Sequence, residues 1–470
     1  MDIETDAHVD PDQLEGLFSS GRVDTVIVAL VDLWGRLMGK RVTARTCRDL
    51  LHGERLHASN YLFTVDMDMD PQPGFALTDW ERGFQDFSMV PDWATLRLVP
   101  WLDRTALVLC DAVAAHGDEP VEVSPRQILK RQIERAEAHG LQVFCGSEVE
   151  VFFFRDSYRD AWEQMYRDLH PMSYYRTDYH LLHTAKDEWL ISQIRRGMDG
   201  ARVPIESSKG EWGLGQHEIN LVFAEALEMA DRHAIYKHGI KEIAALDGLS
   251  ATFMAKWSAR EVGSSFHVHS SLWDATGTKP LSADASEPAH SSETFSHYLG
   301  GQLATARELS WMFAPYPNSY RRYVPDSFAP TTITWGRDNR TCAFRLLGEG
   351  PSFRVENRAP GADANPYLAF SATIAAGLRG IEGKLDPGEE YAGNAYLADR
   401  PRLPATMEES VDAFASSLVA RESFGDEAYT HLLQVARHEL QAFERYLYET
   451  ETDPSSGVTD WELRRYFERG

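Results

Sequence analysis

Cysteine is scarce in this chain: Cys47, Cys110, Cys145 and Cys342 are the only four in 470 residues, and they are far apart. Their spacing matches no structural zinc motif and offers no disulfide framework, so they read as buried thiols in a reducing compartment. Basic residues are outnumbered, 47 Lys and Arg against 72 Asp and Glu, for a formal charge of −25. Such a surface repels nucleic acid and anionic membrane, and no Lys/Arg tract offsets it. No run approaches the roughly 18 consecutive apolar residues of a membrane span. The acidic first ten residues lack a charged-then-apolar signal pattern, so the expected compartment is the cytoplasm. There is no internal repeat, no low-complexity segment and no GxxxxGK[ST] phosphate loop.

What is present reads as an ordinary globular chain, 43% hydrophobic and 25% charged, long enough for more than one domain. Apolar, β-branched stretches predict strands over 23–31, 38–42, 96–99 and 106–109, the first two joined by a turn at Leu33-Trp34-Gly35-Arg36-Leu37. The small, polar connector 114–120 places a boundary between a β-rich domain, 1–114, and a larger catalytic domain, 115–470. Beyond it, Ser124-Pro125 is a helix start and Gly140 a helix stop. Further helices are expected over 224–246, 292–310, 366–382 (capped by Asn365) and 429–448. Strands are expected near 219–223, 252–256, 264–272 and 331–335. The fold class is α+β.

Chemistry enters at Gly146-Ser147-Glu148-Val149-Glu150-Val151. Side chains alternate along a strand, so Glu148 and Glu150 share one face, where two like charges call for a cation between them or an open, wet surface. Lys209-Gly210-Glu211-Trp212-Gly213-Leu214-Gly215-Gln216-His217-Glu218 brings two further carboxylates around a glycine-containing turn. Phe266-His267-Val268-His269-Ser270-Ser271 sets His267, His269 and Ser271 on one face. Asn318-Ser319-Tyr320-Arg321-Arg322 and the stretch 337–345 hold five arginines, and in Arg354-Val355-Glu356-Asn357-Arg358 the charged residues share a face. Each is unremarkable alone. Together, carboxylates with one or two imidazoles suit Mg2+ or Mn2+, and arginines beside such ions are equipment for phosphoryl transfer.

The order of these motifs, ExE, KGExxxGQxE, HxHxS, NSYxR, NR and RxExR, followed by Asn365-Pro366-Tyr367-Leu368, resembles the glutamine synthetase family over essentially the whole chain. The resemblance implies an N-terminal β-grasp domain and a catalytic domain of curved antiparallel strands and helices. It also implies active sites between subunits, usually in a dodecamer of two hexameric rings. Carried onto this sequence, it makes Glu150, Glu211 and Glu218 the ligands of one metal, and Glu148, His267 and Glu356 those of a second that binds ATP phosphates. His269 and Ser271 become nucleotide-phosphate contacts, Arg322 and Arg358 the glutamate carboxylate clamp with Gly263 beside it, and Arg340 and Arg345 the residues that neutralise the transferring phosphoryl group.

The departures from that pattern concern the amine. Where ammonia-using members carry a flap glutamate, this chain reads Ser327-Phe328-Ala329-Pro330, and the aspartate-bearing loop of the ammonium site is replaced by residues 63–70. Loss of both acids weakens a site for a small hydrated cation, whereas a phenyl ring packs against the carbon part of an organic amine. The altered chain is similar to the γ-glutamylamide synthetase branch, which implies ligation of L-glutamate to a monoamine or polyamine. Phe328 and Trp212 are expected near the amine, with Tyr174, Tyr175 or Tyr179 as further neighbours and Asp66, Asp68 or Asp70 as candidate bases. An ammonia-dependent glutamine synthetase and a catalytically inactive homologue are the competing readings.

Overall fold

The hairpin that opens the first sheet is set by its turn. In the computed structural model, which describes residues 9–287 and 289–470, Asp32 accepts from the Trp34 and Arg36 amides at 3.0 and 2.9 Å, and Gly35 takes φ +83°. The turn joins Thr25–Val31 to Leu37–Thr43, and Thr25–Val31 also runs parallel to Thr105–Ala114. Asp86–Pro91 and Leu56–Ser59 complete the path, and short Arg97–Leu98 pairs on Thr105–Ala114. After Thr25 this strand is apolar throughout because both its faces are covered. Val26, Val28 and Leu30 enter a small core with Leu14, Phe18, Phe63 and Phe87, while Ile27, Ala29 and Val31 join the large core of the rest of the chain. All four cysteines are buried and free.

The second sheet has nine strands built around one long central strand, Leu141–Phe154. On one side it pairs antiparallel with Phe266–Asp274, with His267 opposite Glu148. On the other it pairs with Gln216–Leu221, with Glu218 opposite Glu150. The path continues outward through Arg354–Asn357, Phe344–Leu347 and Trp335–Arg337 at one edge and Ile205–Gly210 at the other. Opposite residues in such pairs point the same way. Glu148, Glu150, Glu218, His267, His269 and Glu356 therefore stand on one face, and Val149, Ile219, Phe266 and Val268, all fully buried, on the other.

Helices cover the apolar face. Phe266 meets Phe370 of helix Pro366–Gly383 and His233 of helix Ala226–Leu246. Asn365 caps the first of these through the Tyr367 amide, and its own amide group donates to the Asp32 and Leu33 carbonyls at 3.1 Å, tying it to the first hairpin turn. The mixed helix and strand content agrees with the α+β expectation. Details differ: residues 224–225 form a short strand before the helix, the strand expected at 252–256 is Ser250–Thr252, and the one expected at 331–335 is Trp335–Arg337. The helix expected at 292–310 ends at Thr305, and the last one extends over Leu418–Thr450, kinked at Gly425 (φ 78°). No helix among the described residues is long and apolar enough to cross a membrane.

Candidate active site

On the polar face the central strand divides the charged residues into two groups. Beside Glu148, His269 Nε2 lies 3.0 Å from one carboxylate oxygen, and His267 Nδ1 lies 3.3 Å from Glu148 and 3.3 Å from Glu356. Ligand atoms of Glu148, His269 and Glu356 all fall within 4.8 Å of one another. Both imidazoles thus reach Glu148, where the family resemblance implies one for the metal and one for phosphate. A tautomer separates them. Arg354 Nε, which can only donate, bonds His269 Nδ1 at 3.1 Å, so the neutral ring carries its proton on Nε2, towards Glu148. Burial opposes ionisation of Glu148 and Glu356. The histidines nevertheless hold Glu148 well below the usual carboxylate range, and Arg358 with both histidines brings Glu356 down to about 2.

The second group is electrostatically opposite. Glu150, Glu211 and Glu218 present ligand atoms within 4.8 Å of one another. Burial raises all three carboxyls: Glu211 adds to the rise at Glu150, and Glu148 and Glu150 to that at Glu218. At Glu211, burial with help from Glu218 outweighs Lys209 and lifts the carboxyl to about 7. Lys209 is ion-paired to Glu211 and lies 3.8 Å from Glu218. Gln216 donates to Glu150 at 3.2 Å and to the Gly263 carbonyl at 3.0 Å, and the Ser265 amide donates to Glu150 at 2.7 Å. Neither Lys209 nor Gln216 was given a role in the sequence reading, although both lie inside the motif that supplied Glu211 and Glu218. Three part-buried carboxylates with one lysine and raised proton affinity are a donor set matched to a hard divalent cation.

A pH dependence follows. With its folded-state value raised from 4.5 to about 7, Glu211 binds an extra proton on folding between those values, so it destabilises the metal-free protein progressively as pH rises through that window. A cation must displace that proton, so apparent affinity falls by up to ~10-fold per pH unit below 7. In EDTA the thermal midpoint is expected to decline from pH 5 to 7.5, and the increase on adding Mg2+ or Mn2+ to be larger at pH 7.5 than at pH 5. Equal increments at the two pH values would remove Glu211 from the metal set.

Two cavities flank the divide. One, of about 240 Å3, is lined by Glu148, His269 and Ser271 and walled by Phe144, Phe223 and Trp273. Three aromatic rings above a histidine and a carboxylate suit a planar base with a charged tail. These rings carried no signal in the sequence beyond ordinary strand aromatics. The other, of about 160 Å3, brings together Glu150, Glu211, Trp212, Gly263, Arg322, Phe328 and Arg358. Arg322 and Arg358 are each 4% exposed with Nε unpartnered, so two buried guanidiniums retain unused donors. Arg358 is otherwise paired with Glu356, and Arg322 with the Ala359 carbonyl. Gly263 admits no side chain, because a Cβ there would overlap Arg322 and lie 2.7 Å from the Ala255 carbonyl. Phe328 is 63% exposed, and both it and Asp326 take φ +61°, an uncommon backbone state for non-glycine residues that the Asp326-Ser327-Phe328 turn adopts twice.

Other expected neighbours lie elsewhere. Arg345 sits between Glu356, at 3.0 Å, and Asp338, and Arg340 is exposed beside Asp338. Neither lines either cavity: Arg345 stands on strand Phe344–Leu347, where Glu356 and Asp338 engage it, and Arg340 follows the Asp338 turn. Tyr174, Tyr175 and Tyr179 are exposed outside the arginine cavity: the Tyr179 ring lies against Lys209 at 4.5 Å, and Arg176 stacks on Trp212 at 4.6 Å. Asp66 and Asp68 are bound to Arg465, and the Asp66 carboxylate also accepts from the Asp70 amide, so this turn is directed at its own C-terminal segment. Tyr396 is buried and donates to the Ala329 carbonyl at 3.0 Å.

Comparison with known proteins places this geometry. A family profile described as glutamine synthetase, catalytic domain, matches residues 122–455. A gamma-glutamylethanolamide synthetase of Streptomyces coelicolor is 46% identical over 458 residues, 97% of this chain and 96% of that protein. A glutamate–isopropylamine ligase of a Pseudomonas species is 38% identical over 451 residues, covering 95% of each. The solved structure of a GmaS/ADP complex superposes with a TM-score of 0.80 at 27% identity, covering 96% of this chain and 98% of that one.

Proposed function

This chain belongs to the glutamine synthetase family, and from that premise we propose that it is an ATP-dependent ligase joining the γ-carboxylate of L-glutamate to an organic amine. The observation that carries the choice of amine is Phe328, which lines the arginine-bearing cavity at the position where the family pattern has a flap glutamate. Trp212 lines the same cavity. An aromatic wall stabilises the carbon part of an amine and offers a small hydrated ammonium ion no carboxylate in return for its lost water. The relatives named for ethanolamine and isopropylamine substrates support the same reading.

In this assignment Glu150, Glu211 and Glu218 hold one Mg2+ or Mn2+, and Glu148, His267 and Glu356 hold another. When bound, the two ions neutralise and align phosphate oxygens. Arg322 and Arg358 grip the glutamate α-carboxylate, and Gly263 gives it room. His269, with its Nε2 proton, and Ser271 face the phosphates of a nucleotide whose base lies among Phe144, Phe223 and Trp273. Arg345 and Arg340 offset charge on the transferring phosphoryl group. A γ-carboxylate oxygen attacks the terminal phosphorus, its bond to ADP breaks, and γ-glutamyl phosphate results. The deprotonated amine then attacks the acyl carbon, and inorganic phosphate leaves with the C–O bond pair. A narrow cavity walled by Trp212 and Phe328 favours a short monoamine or a flat aromatic amine over a long polyamine. Cytoplasmic location and a dodecamer of two hexameric rings belong to the same proposal.

Phosphate release with glutamate, ATP and Mg2+ across ammonia, ethanolamine, isopropylamine, aniline and putrescine tests it. At least one organic amine is expected to exceed ammonia by ten-fold or more in kcat/KM. Ammonia as the best substrate would establish an ammonia-dependent synthetase instead, and no release with any amine would establish an inactive homologue.

A further inference from the structure

The stretch Asn318-Ser319-Tyr320-Arg321-Arg322 supplies Arg322 to the arginine-bearing cavity, while its first residue has no part in the reaction described above. Asn318 is buried, and its Oδ1 accepts from the Lys256 amide at 2.9 Å while its Nδ2 donates to the Lys256 carbonyl at 2.8 Å. The same Nδ2 also donates to Oε1 of Glu462 at 3.0 Å. Arg321 Nε donates to that oxygen too, at 2.6 Å. Glu462 stands on the C-terminal helix Asp460–Tyr466, beyond the residues 122–455 that the family profile matches, and it is 0% exposed.

A glutamate at this position has an ordinary task. Thr459-Asp460-Trp461-Glu462 is a helix capping box, which stabilises the start of the helix and nothing else. Oε2 performs that task, accepting from the Thr459 amide and the Thr459 hydroxyl at 2.8 Å each. Oε1 takes no part in it. A capping glutamate needs no burial, and a buried carboxylate is costly unless donors surround it. Here the further donors, Asn318 and Arg321, tie the helix to the segment that carries Arg322.

That tie reaches both walls of the arginine cavity. Arg321 directly precedes Arg322, and Asn318 holds Lys256 by its amide and its carbonyl at the start of the loop to Gly263. Within the loop the Lys256 ammonium donates to the Glu261 carbonyl, and the Ser264 amide donates to the Ala255 carbonyl at 2.9 Å. Val262, Gly263 and Arg322 all line the cavity. We infer that Glu462 is a positioning residue for the substrate carboxylate: through one oxygen it sets the spacing between Arg322 and the Gly263 loop, without touching a reacting group. The identity of that substrate as L-glutamate rests on the ligase reading. Displacing a binding group by about 1 Å is enough to weaken its grip severely.

Steady-state kinetics of the full-length chain with Mg2+, ATP and the amine it turns over fastest tests the inference. Glu462→Gln keeps the volume but turns one oxygen into an amide donor, which must face either the Thr459 donors or Asn318 and Arg321. It is expected to raise KM for glutamate ~10-fold and to leave KM for ATP within about two-fold of wild type. Asn318→Ala cuts the link to Lys256 and leaves Glu462 with Arg321, and glutamate KM should rise in the same direction. Glu439→Gln loosens the same helix elsewhere, at Arg465 and Tyr466, and should lower the thermal midpoint without moving glutamate KM. A purely structural role would reduce the active fraction, and so kcat, with KM unchanged. Unchanged glutamate KM in Glu462→Gln, or an equal rise in Glu439→Gln, overturns the inference; if Glu462→Gln does not fold, Asn318→Ala decides by the same criterion. A wild type that releases no phosphate with any amine refutes the ligase reading instead. Crystal structures of the wild type and Asn318→Ala then read the positioning directly: Gly263 and Arg322 displaced by ~1 Å relative to each other supports it, and an unchanged spacing overturns it.

Discussion

Glu150→Gln is expected to lower phosphate release from ATP, glutamate and amine by ~10³-fold or more, the equivalent of about 4 kcal/mol of transition-state stabilisation. Glu150 contributes to the three-carboxylate cluster and is held by the Ser265 amide and by Gln216, so its oxygens are fixed before any cation arrives. The folded state should not suffer in parallel. Burial and Glu211 raise the Glu150 carboxyl, so its charge is unfavourable in the metal-free protein, and neutralising it is expected to leave the midpoint in EDTA unchanged or higher. Glu150→Ala should show the same loss of turnover, with a small stability cost for the two donors left unpaired. Turnover, Mn2+ binding and thermal midpoint measured together decide the matter: turnover retained within a few-fold would remove Glu150 from the metal site, whatever the midpoint does.

Arg322→Ala should raise KM for glutamate by ~100-fold or more, on the scale of removing one partner of a buried charge pair, and leave KM for ATP nearly unchanged. The guanidinium is buried in the cavity that also holds Arg358, with Nε unpartnered. Arg322→Lys should recover only part of the loss, because an ammonium cannot reproduce a planar two-point grip on a carboxylate. Steady-state kinetics with each substrate varied in turn reads the split. An unchanged glutamate KM would assign Arg322 to holding the Ala359 carbonyl and nothing more.

How much of this was legible beforehand depends on the range of the interaction. The polar face of the catalytic sheet could be read from single strands, because alternation is local: Glu148 with Glu150 and His267 with His269 are two residues apart. The capping of helix Pro366–Gly383 by Asn365 was equally local. Strands Leu56–Ser59 and Asp86–Pro91 were not anticipated, since His57 and Ser88 interrupt any apolar pattern and the pairing partners lie far away in the chain. The aromatic walls of the nucleotide-side cavity, Phe144, Phe223 and Trp273, come from two strands and from the short connection after a third, and acquire meaning only once those segments are adjacent. Arg340 shows the converse. A motif places it among the phosphoryl contacts, and no local pattern foretold that it would stand exposed, 4.0 Å from Asp338.

By itself the sequence determined the composition of the site and the side of each strand on which its members stand, because residue type and period-two alternation are properties of the chain alone. Only the tertiary structure decided which of them meet. Antiparallel register set His267 opposite Glu148 and Glu218 opposite Glu150, so adjacent acids with the same local environment acquired opposite electrostatics: one held ionised by imidazoles, the other raised by neighbouring carboxylates. Charge in a folded chain is governed by what is brought within a few ångströms and kept from water, and that distance is not written in sequence order.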